Sequence, residues 1–174
     1  VYAEAHYNLG ITLKDLGRLE EAEASYRQAI ALKPDFEAAY CNLGVTLQDL
    51  GRLEEAEASF RHAITLKPDL AEAHSDLGKT LQDLDRLEEA EVSYRHAITL
   101  KPDYAAAHYN LGVTLTDLGQ LEDAEASYRH AITLKPDLAE AHSNLVFMLM
   151  SAGRVNSSVK DAHQHCANDR VIAL

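Results

Sequence analysis

The stretch Leu32-Lys33-Pro34-Asp35 returns three more times, as Leu66-Lys67-Pro68-Asp69, Leu100-Lys101-Pro102-Asp103 and Leu134-Lys135-Pro136-Asp137. The four prolines stand 34 residues apart each time, with no insertion or deletion. A strict period of that length marks a stack of structural repeats, so the whole chain can be aligned on this turn. Proline lacks an amide donor and drives the residue before it out of helical geometry, so one helix must end near each of Lys33, Lys67, Lys101 and Lys135. The aspartate that follows is suited to cap the next helix. At Asp69 with Glu72, and at Asp137 with Glu140, the spacing is that of a capping box.

Between the turns, apolar residues follow helical spacing twice over. In the unit 3–36, Ala5, Leu9, Leu13 and Leu16 describe one helix facing the second, Gly17 a left-handed turn, and Leu19, Ala22, Tyr26, Ala29 and Ile30 the second helix. Gly51 and Gly119 share the column of Gly17, whereas Asp85 replaces glycine in the third unit and carries some strain there. Glu20, Glu21 and Glu23 open the second helix and Arg27 and Lys33 close it, the charge order that complements the helix dipole. Gly10, with Gly44, Gly78 and Gly112, lies inside the first helix, where glycine costs about 1 kcal/mol relative to alanine. Its recurrence opposite Ala22, Ala56, Ala90 and Ala124 predicts that the two helices approach closely at that level.

The units 37–70, 71–104 and 105–138 follow the same plan. A fifth begins at 139–153 but has Val146 in the glycine column. Beyond Gly153, Val155, Val159, Ala162 and Cys166 are spaced 4, 3 and 4, which predicts a divergent capping helix and tail over 154–174. The columns His6/Tyr40/His74/His108 and Tyr26/Phe60/Tyr94/Tyr128, the Leu-Gly pairs from Leu9-Gly10 to Leu111-Gly112, the alanines and the prolines together resemble the tetratricopeptide repeat (TPR) family, over a repeat array within residues 1–153. That resemblance implies an all-α fold, a right-handed superhelix or α-solenoid of helix-turn-helix units. One departure is the family's large aromatic, often Trp, for which His6, Tyr40, His74, His108 and His142 stand here.

Bulk composition narrows the function. A net charge of −12 argues against a nucleic-acid or anionic-membrane surface, which would need clustered Lys and Arg. Cys41 and Cys166 follow no paired spacing, so a reducing, cytoplasmic setting is expected. The longest apolar run, 145–150, falls far short of the ~18 residues of a membrane span. The chain opens on Val1 without methionine, which reads as a fragment or processed piece of a longer protein.

Nine histidines raise the question of metal binding. Seven belong to repeat columns, His6, His74, His108 and His142 in one and His62, His96 and His130 in the other. Members of one column sit a helix spacing of at least ~8–10 Å apart, too far for imidazoles to share a zinc at ~2 Å. His163, His165 and Cys166 lack a second ligand pair. There is no glycine-rich phosphate loop and no nucleophile elbow, and the Ser, Asp and His residues fall in columns with structural roles. No catalytic residue, metal site or cofactor is expected, and the chain reads as a non-enzyme.

With Leu9, Leu13 and Leu16 turned to the second helix, Tyr7 and Ile11 point the opposite way and Asn8 and Asp15 lie to one side. The equivalent sets are Cys41, Asn42, Val45 and Asp49; Ser75, Asp76, Lys79 and Asp83; Tyr109, Asn110, Val113 and Asp117; and Ser143, Asn144 and Phe147. Half-apolar residues beside amides, recurring along a curved array, describe a groove for an extended peptide or protein segment. The competing reading packs Ile11 and Val45 against the adjacent first helix. The family resemblance implies that the first helices line the concave surface. Lys14 and Lys79 are the cations there, against Asp15, Asp49, Asp76, Asp83 and Asp117, so the expected partner is neutral or basic.

The column Asn8, Asn42, Asn110 and Asn144, broken by Asp76, is also similar to the asparagine ladder in the TPR superhelix of O-linked N-acetylglucosamine transferases. The run 141–147 is similar to the end of the array in bacterial relatives of that enzyme. This implies a second reading, the substrate-recruiting arm of a glycosyltransferase whose catalytic domain lies beyond Leu174. A third is self-association through the array ends.

Overall fold

The computed structural model describes residues 2–151 and 153. Among these residues the chain is all-α: α1 (Tyr2–Asp15), α2 (Leu19–Leu32), α3 (Glu37–Asp49), α4 (Leu53–Leu66), α5 (Ala71–Asp83), α6 (Leu87–Leu100), α7 (Ala105–Asp117), α8 (Leu121–Leu134) and α9 (Ala139–Ser151). The capping helix expected over 154–174 lies outside the described residues. Each odd-numbered helix packs on the even one that follows it, and each even helix on the odd helix of the next unit. Successive odd helices also bring Cα atoms within 8 Å of each other, which successive even helices do not. The stack is therefore an α-solenoid that curves with its odd helices inside.

The short turn inside each unit needs a left-handed residue. Gly17, Gly51 and Gly119 supply it with φ between 72° and 75°, and Asp85 takes φ 59° in the third unit. Their amides return to the ends of α1, α3, α5 and α7, as in Gly17 N–H to the Lys14 carbonyl at 2.9 Å.

The mid-helix glycines make room for a different partner than the alanine column. A Cβ on Gly10, Gly44, Gly78 or Gly112 would stand 2.6–2.8 Å from ring carbons of Tyr26, Phe60, Tyr94 and Tyr128 respectively. Those four rings are among the most buried side chains of the core, at 0–2% exposure. The close approach is thus ring against backbone, with the alanines packed beside it.

Two further expectations are corrected. The leucine column of Leu9 does not simply face its own second helix: Leu43, Leu77 and Leu111 are 4–5% exposed, but Leu9 is 48% exposed. Leu43 sits in the cleft between α2 and α4, so this column is covered by the second helix of the unit before, and α1 has no described helix before it. Nor do the aspartates form capping boxes. The N-cap of α5 is Leu70, with no side-chain cap bond, and Glu72 instead meets Lys101 at 2.9 Å. Starting the helix one residue later lets the half-buried Leu70 turn inward.

Histidine takes over part of the work at this turn. His74 Nε2 bonds the Pro68 carbonyl at 3.0 Å, and His108 and His142 bond those of Pro102 and Pro136 at 2.9 Å. On the outer side, Arg52 ties units together: it forks onto Glu55 at 2.6–2.7 Å and reaches Glu23 of the preceding unit at 2.7 Å. Arg86 repeats the pattern with Glu89 and Glu57. Gln120 stands in that column at the next junction.

Candidate functional site

The strip of odd helices collects the sequence-derived groove residues, and their environments differ from unit to unit. Tyr7, Ile11, Val45, Tyr109 and Val113 are half-buried and pack on the edge of the core. Asn8, Asp15, Asp49, Lys79, Asp83 and Asp117 are exposed, whereas Cys41, Asn42, Asp76, Asn110 and Asn144 are half-buried. Phe147 is 72% exposed on α9. Ile11 and Val45 therefore serve both readings, part core and part surface.

The asparagine column is not uniform. Asn42 donates to the Tyr7 hydroxyl at 3.1 Å and Asn144 to the Tyr109 hydroxyl at 3.2 Å, each across a unit boundary. These bonds form where the preceding unit offers a tyrosine; Cys41 and Ser75 occupy that column ahead of Asp76 and Asn110. An amide carries two N–H groups and two acceptor lone pairs, so one such bond still leaves capacity toward a ligand.

The strip's electrostatics centre on the third unit. Burial pushes the Asp76 carboxyl up to about 6, a rise that Glu72 reinforces and the nearby Lys79 and Lys14 oppose. Burial, with Asp76 and Glu37 adding to it, drives the Cys41 thiol to about 11, which leaves it unreactive at neutral pH. Lys14 leans across to Asp49 at 3.7 Å.

Side-chain size in one column sets where the strip is closed. Gln48 Nε2 donates to Thr80 Oγ1 at 2.9 Å, filling the space between α3 and α5. Gln82 accepts from the Tyr94 hydroxyl at 3.2 Å. Thr116 is shorter, and a pocket of about 160 Å3 opens between α7 and α9, lined by Val113, Thr116, Asp117, Tyr128, Asn144, Phe147 and Met148.

The sequence reading missed the opposite face. Clefts of about 490, 380 and 450 Å3 lie between α2 and α4, α4 and α6, and α6 and α8. In each, rings of the two columns meet with centroids 4.1–4.2 Å apart: Tyr40 stacks on His62, while His74 with His96 and His108 with His130 are tilted. Spacing within a column hid this, because the contact joins two different columns inside one unit. Among the described residues no group of three or more His, Cys, Asp or Glu could hold a metal ion. No helix there is long and apolar enough to cross a membrane.

Comparison with known proteins agrees with this architecture. Residues 12–51 match a family pattern described as TPR repeat, and residues 35–103 and 105–138 match patterns described as tetratricopeptide repeat. MamA 41-end from Desulfovibrio magneticus RS-1 superposes with a TM-score of 0.84 at 20% identity, covering 99% of this chain and 98% of that one. YrrB, described as a TPR protein with an unusual peptide-binding site, gives 0.74 at 22% identity over 86% and 77%. The first TPR of Spaghetti (RPAP3), solved bound to the HSP90 peptide SRMEEVD, gives 0.66 at 20% identity over 67% and 93%. No curated protein matches the chain in sequence. At such identities the solved structures establish the fold.

Proposed function

The chain belongs to the tetratricopeptide repeat family, and from that premise we propose that it is a non-catalytic interaction module that binds an extended, neutral or basic peptide segment along its odd-numbered helices. The carrying observation is the strip itself. Amides and apolar groups stand half-exposed beside exposed Asp15, Asp49, Asp83 and Asp117, one carboxylate per unit on the inside of the curve. Helices recurring about every 10 Å against an extended chain rising about 3.3 Å per residue give each unit roughly three ligand residues to address. A bound peptide in one TPR neighbour, and a peptide-binding site in another, support the reading by analogy of fold. A cytoplasmic setting belongs to the same proposal. The glycosyltransferase-arm reading rests on likenesses of the asparagine column and of the run 141–147 alone, and in that column Asn42 and Asn144 each spend one N–H on a tyrosine.

Calorimetric titration with a lysine-containing, a neutral and an acidic decapeptide tests this. The first two should bind better than the third, with affinity for the basic one falling as salt shortens the screening length to ~8 Å. Asn110→Ala should cost ~0.5–1.5 kcal/mol of peptide affinity for each hydrogen bond lost. Tighter binding of the acidic peptide, or peptide contacts mapped by hydrogen exchange to the even helices, would overturn the proposal.

A further inference from the structure

We propose that the pocket between α7 and α9 is a subsite for a lysine side chain of the bound segment. This rests on the groove reading above and adds to it the identity of one recognised residue. The pocket exists because two columns change at this junction. Lys14, Gln48 and Gln82 fill the position of Thr116 in the three preceding units, and threonine stands in the column of Met148 throughout them, at Thr46, Thr80 and Thr114. Thr116 folds back onto its own helix, its hydroxyl 2.8 Å from the Gly112 carbonyl and 3.3 Å from the Tyr128 hydroxyl, and it meets α9 only through a 4.0 Å contact with the Met148 sulfur.

The remaining hollow, about 160 Å3, has walls suited to four methylenes: Val113, the Phe147 ring and Met148. A cavity of ~150 Å3 takes a six-carbon ring, and a lysine stem with its ammonium has comparable bulk. Asp117 lines the same pocket, is exposed, and has no ion-pair partner within 4.0 Å among the described residues. Phe147 lines the pocket and is 72% exposed, an aromatic ring of the kind that attracts a cation. A second observation inside the chain supports the choice of side chain. In α1 the position equivalent to Thr116 is Lys14, whose ammonium lies 3.7 Å from Asp49 of the next odd helix. The first junction thus holds an ammonium in this position; at the last one the counterpart of Asp49 is Ser151, and the carboxylate at the pocket is Asp117 on α7 instead.

The probe is Nα-acetyl-lysine methylamide, with the norleucine diamide as its uncharged counterpart, titrated into the full chain while the methyl NMR signals of Val113 and Met148 are followed. Saturable shifts with the lysine compound and at least tenfold weaker ones with norleucine are expected. Thr116→Gln, which restores the residue type of the two preceding units, and Asp117→Asn should each weaken lysine binding at least tenfold with melting temperatures unchanged. Equal binding of the norleucine compound, an unaffected Thr116→Gln, or no saturable shift in the parent chain would overturn the subsite. If a lysine-free peptide still perturbs α3, α5 and α7 in that last case, the subsite falls and the groove stands. If it perturbs nothing, both fall.

Discussion

Tyr26 carries a buried hydroxyl with no hydrogen-bond partner. Its counterparts are provided for: Tyr94 donates to Gln82, and Tyr128 pairs with Thr116. The second unit avoids the issue by using Phe60, and Gln48 is then turned to the next unit. In the first unit the facing position is Lys14, which is drawn off to Asp49. Burial, with Tyr7 and Asp15 adding to it, pushes the Tyr26 phenol up to about 12; the nearby Asn42 amide opposes the rise but donates with hydrogen-bond geometry to the Tyr7 hydroxyl instead. An unsatisfied buried polar group costs ~1–3 kcal/mol, whereas a made hydrogen bond contributes ~0.5–1.5 kcal/mol. Tyr26→Phe should therefore be neutral or stabilising by up to ~1 kcal/mol, while Tyr94→Phe strands Gln82 and destabilises by a similar amount. Urea unfolding of the two variants decides it. Equal losses from both would show that Tyr26 has a partner in solution.

The turn joining α5 to α6 is the element where one residue is out of keeping with its column. Asp85 holds φ 59° where the other three units use glycine. Left-handed geometry costs a residue with a Cβ ~1–2 kcal/mol, less for Asp, and glycine loses ~0.4–1 kcal/mol through the greater freedom of the unfolded chain. The difference leaves Asp85→Gly more stable by up to ~1 kcal/mol, readable as a raised urea midpoint with unchanged slope; a lowered midpoint would contradict the strain. That turn was legible in the sequence because its cause is local: one column, one backbone conformation. The helix ends before the prolines were legible for the same reason, and the starts after them to within a residue. What escaped notice lies between columns or between units. Arg52 meets Glu23 and Asn42 meets Tyr7, partners 29 and 35 residues apart. Folding the sequence onto one unit superimposes such partners on the same helical wheel and hides which unit each belongs to. The glycine column was found, but its partner was assigned to the alanines because residue size alone cannot say which ring leans over it. Groove residues were legible as a strip, whereas the pocket at Thr116 required seeing what Gln48 and Gln82 fill.

Across the whole array, two kinds of titrating group oppose each other in acid. Burial lowers the imidazole of His74 and of His108, partly offset by the bonds to the Pro68 and Pro102 carbonyls and reinforced by the neighbouring His96 and His130. A histidine depressed in the fold contributes stability above its unfolded value near 6.5, and that contribution is lost as pH falls below it. Asp76 has the other sign. With its folded value raised from 3.8 to about 6, the native chain binds the proton more tightly than the unfolded one, so stability rises as pH falls from about 6 toward 4. Between pH 7.5 and 5 the parent chain's change in stability is therefore the difference of two opposing contributions. Asp76→Asn removes the rising part, and its loss of stability over that interval should be clearly larger than the parent's. The double variant His74→Gln, His108→Gln removes the falling part and should gain stability on acidification, because glutamine keeps an N–H to offer the proline carbonyl but cannot charge. Urea midpoints at the two pH values, for the parent and both variants, test the balance. A parent and Asp76→Asn that fall in parallel would mean that Asp76 is solvated as an ordinary carboxylate and that the centre of the groove is open to water.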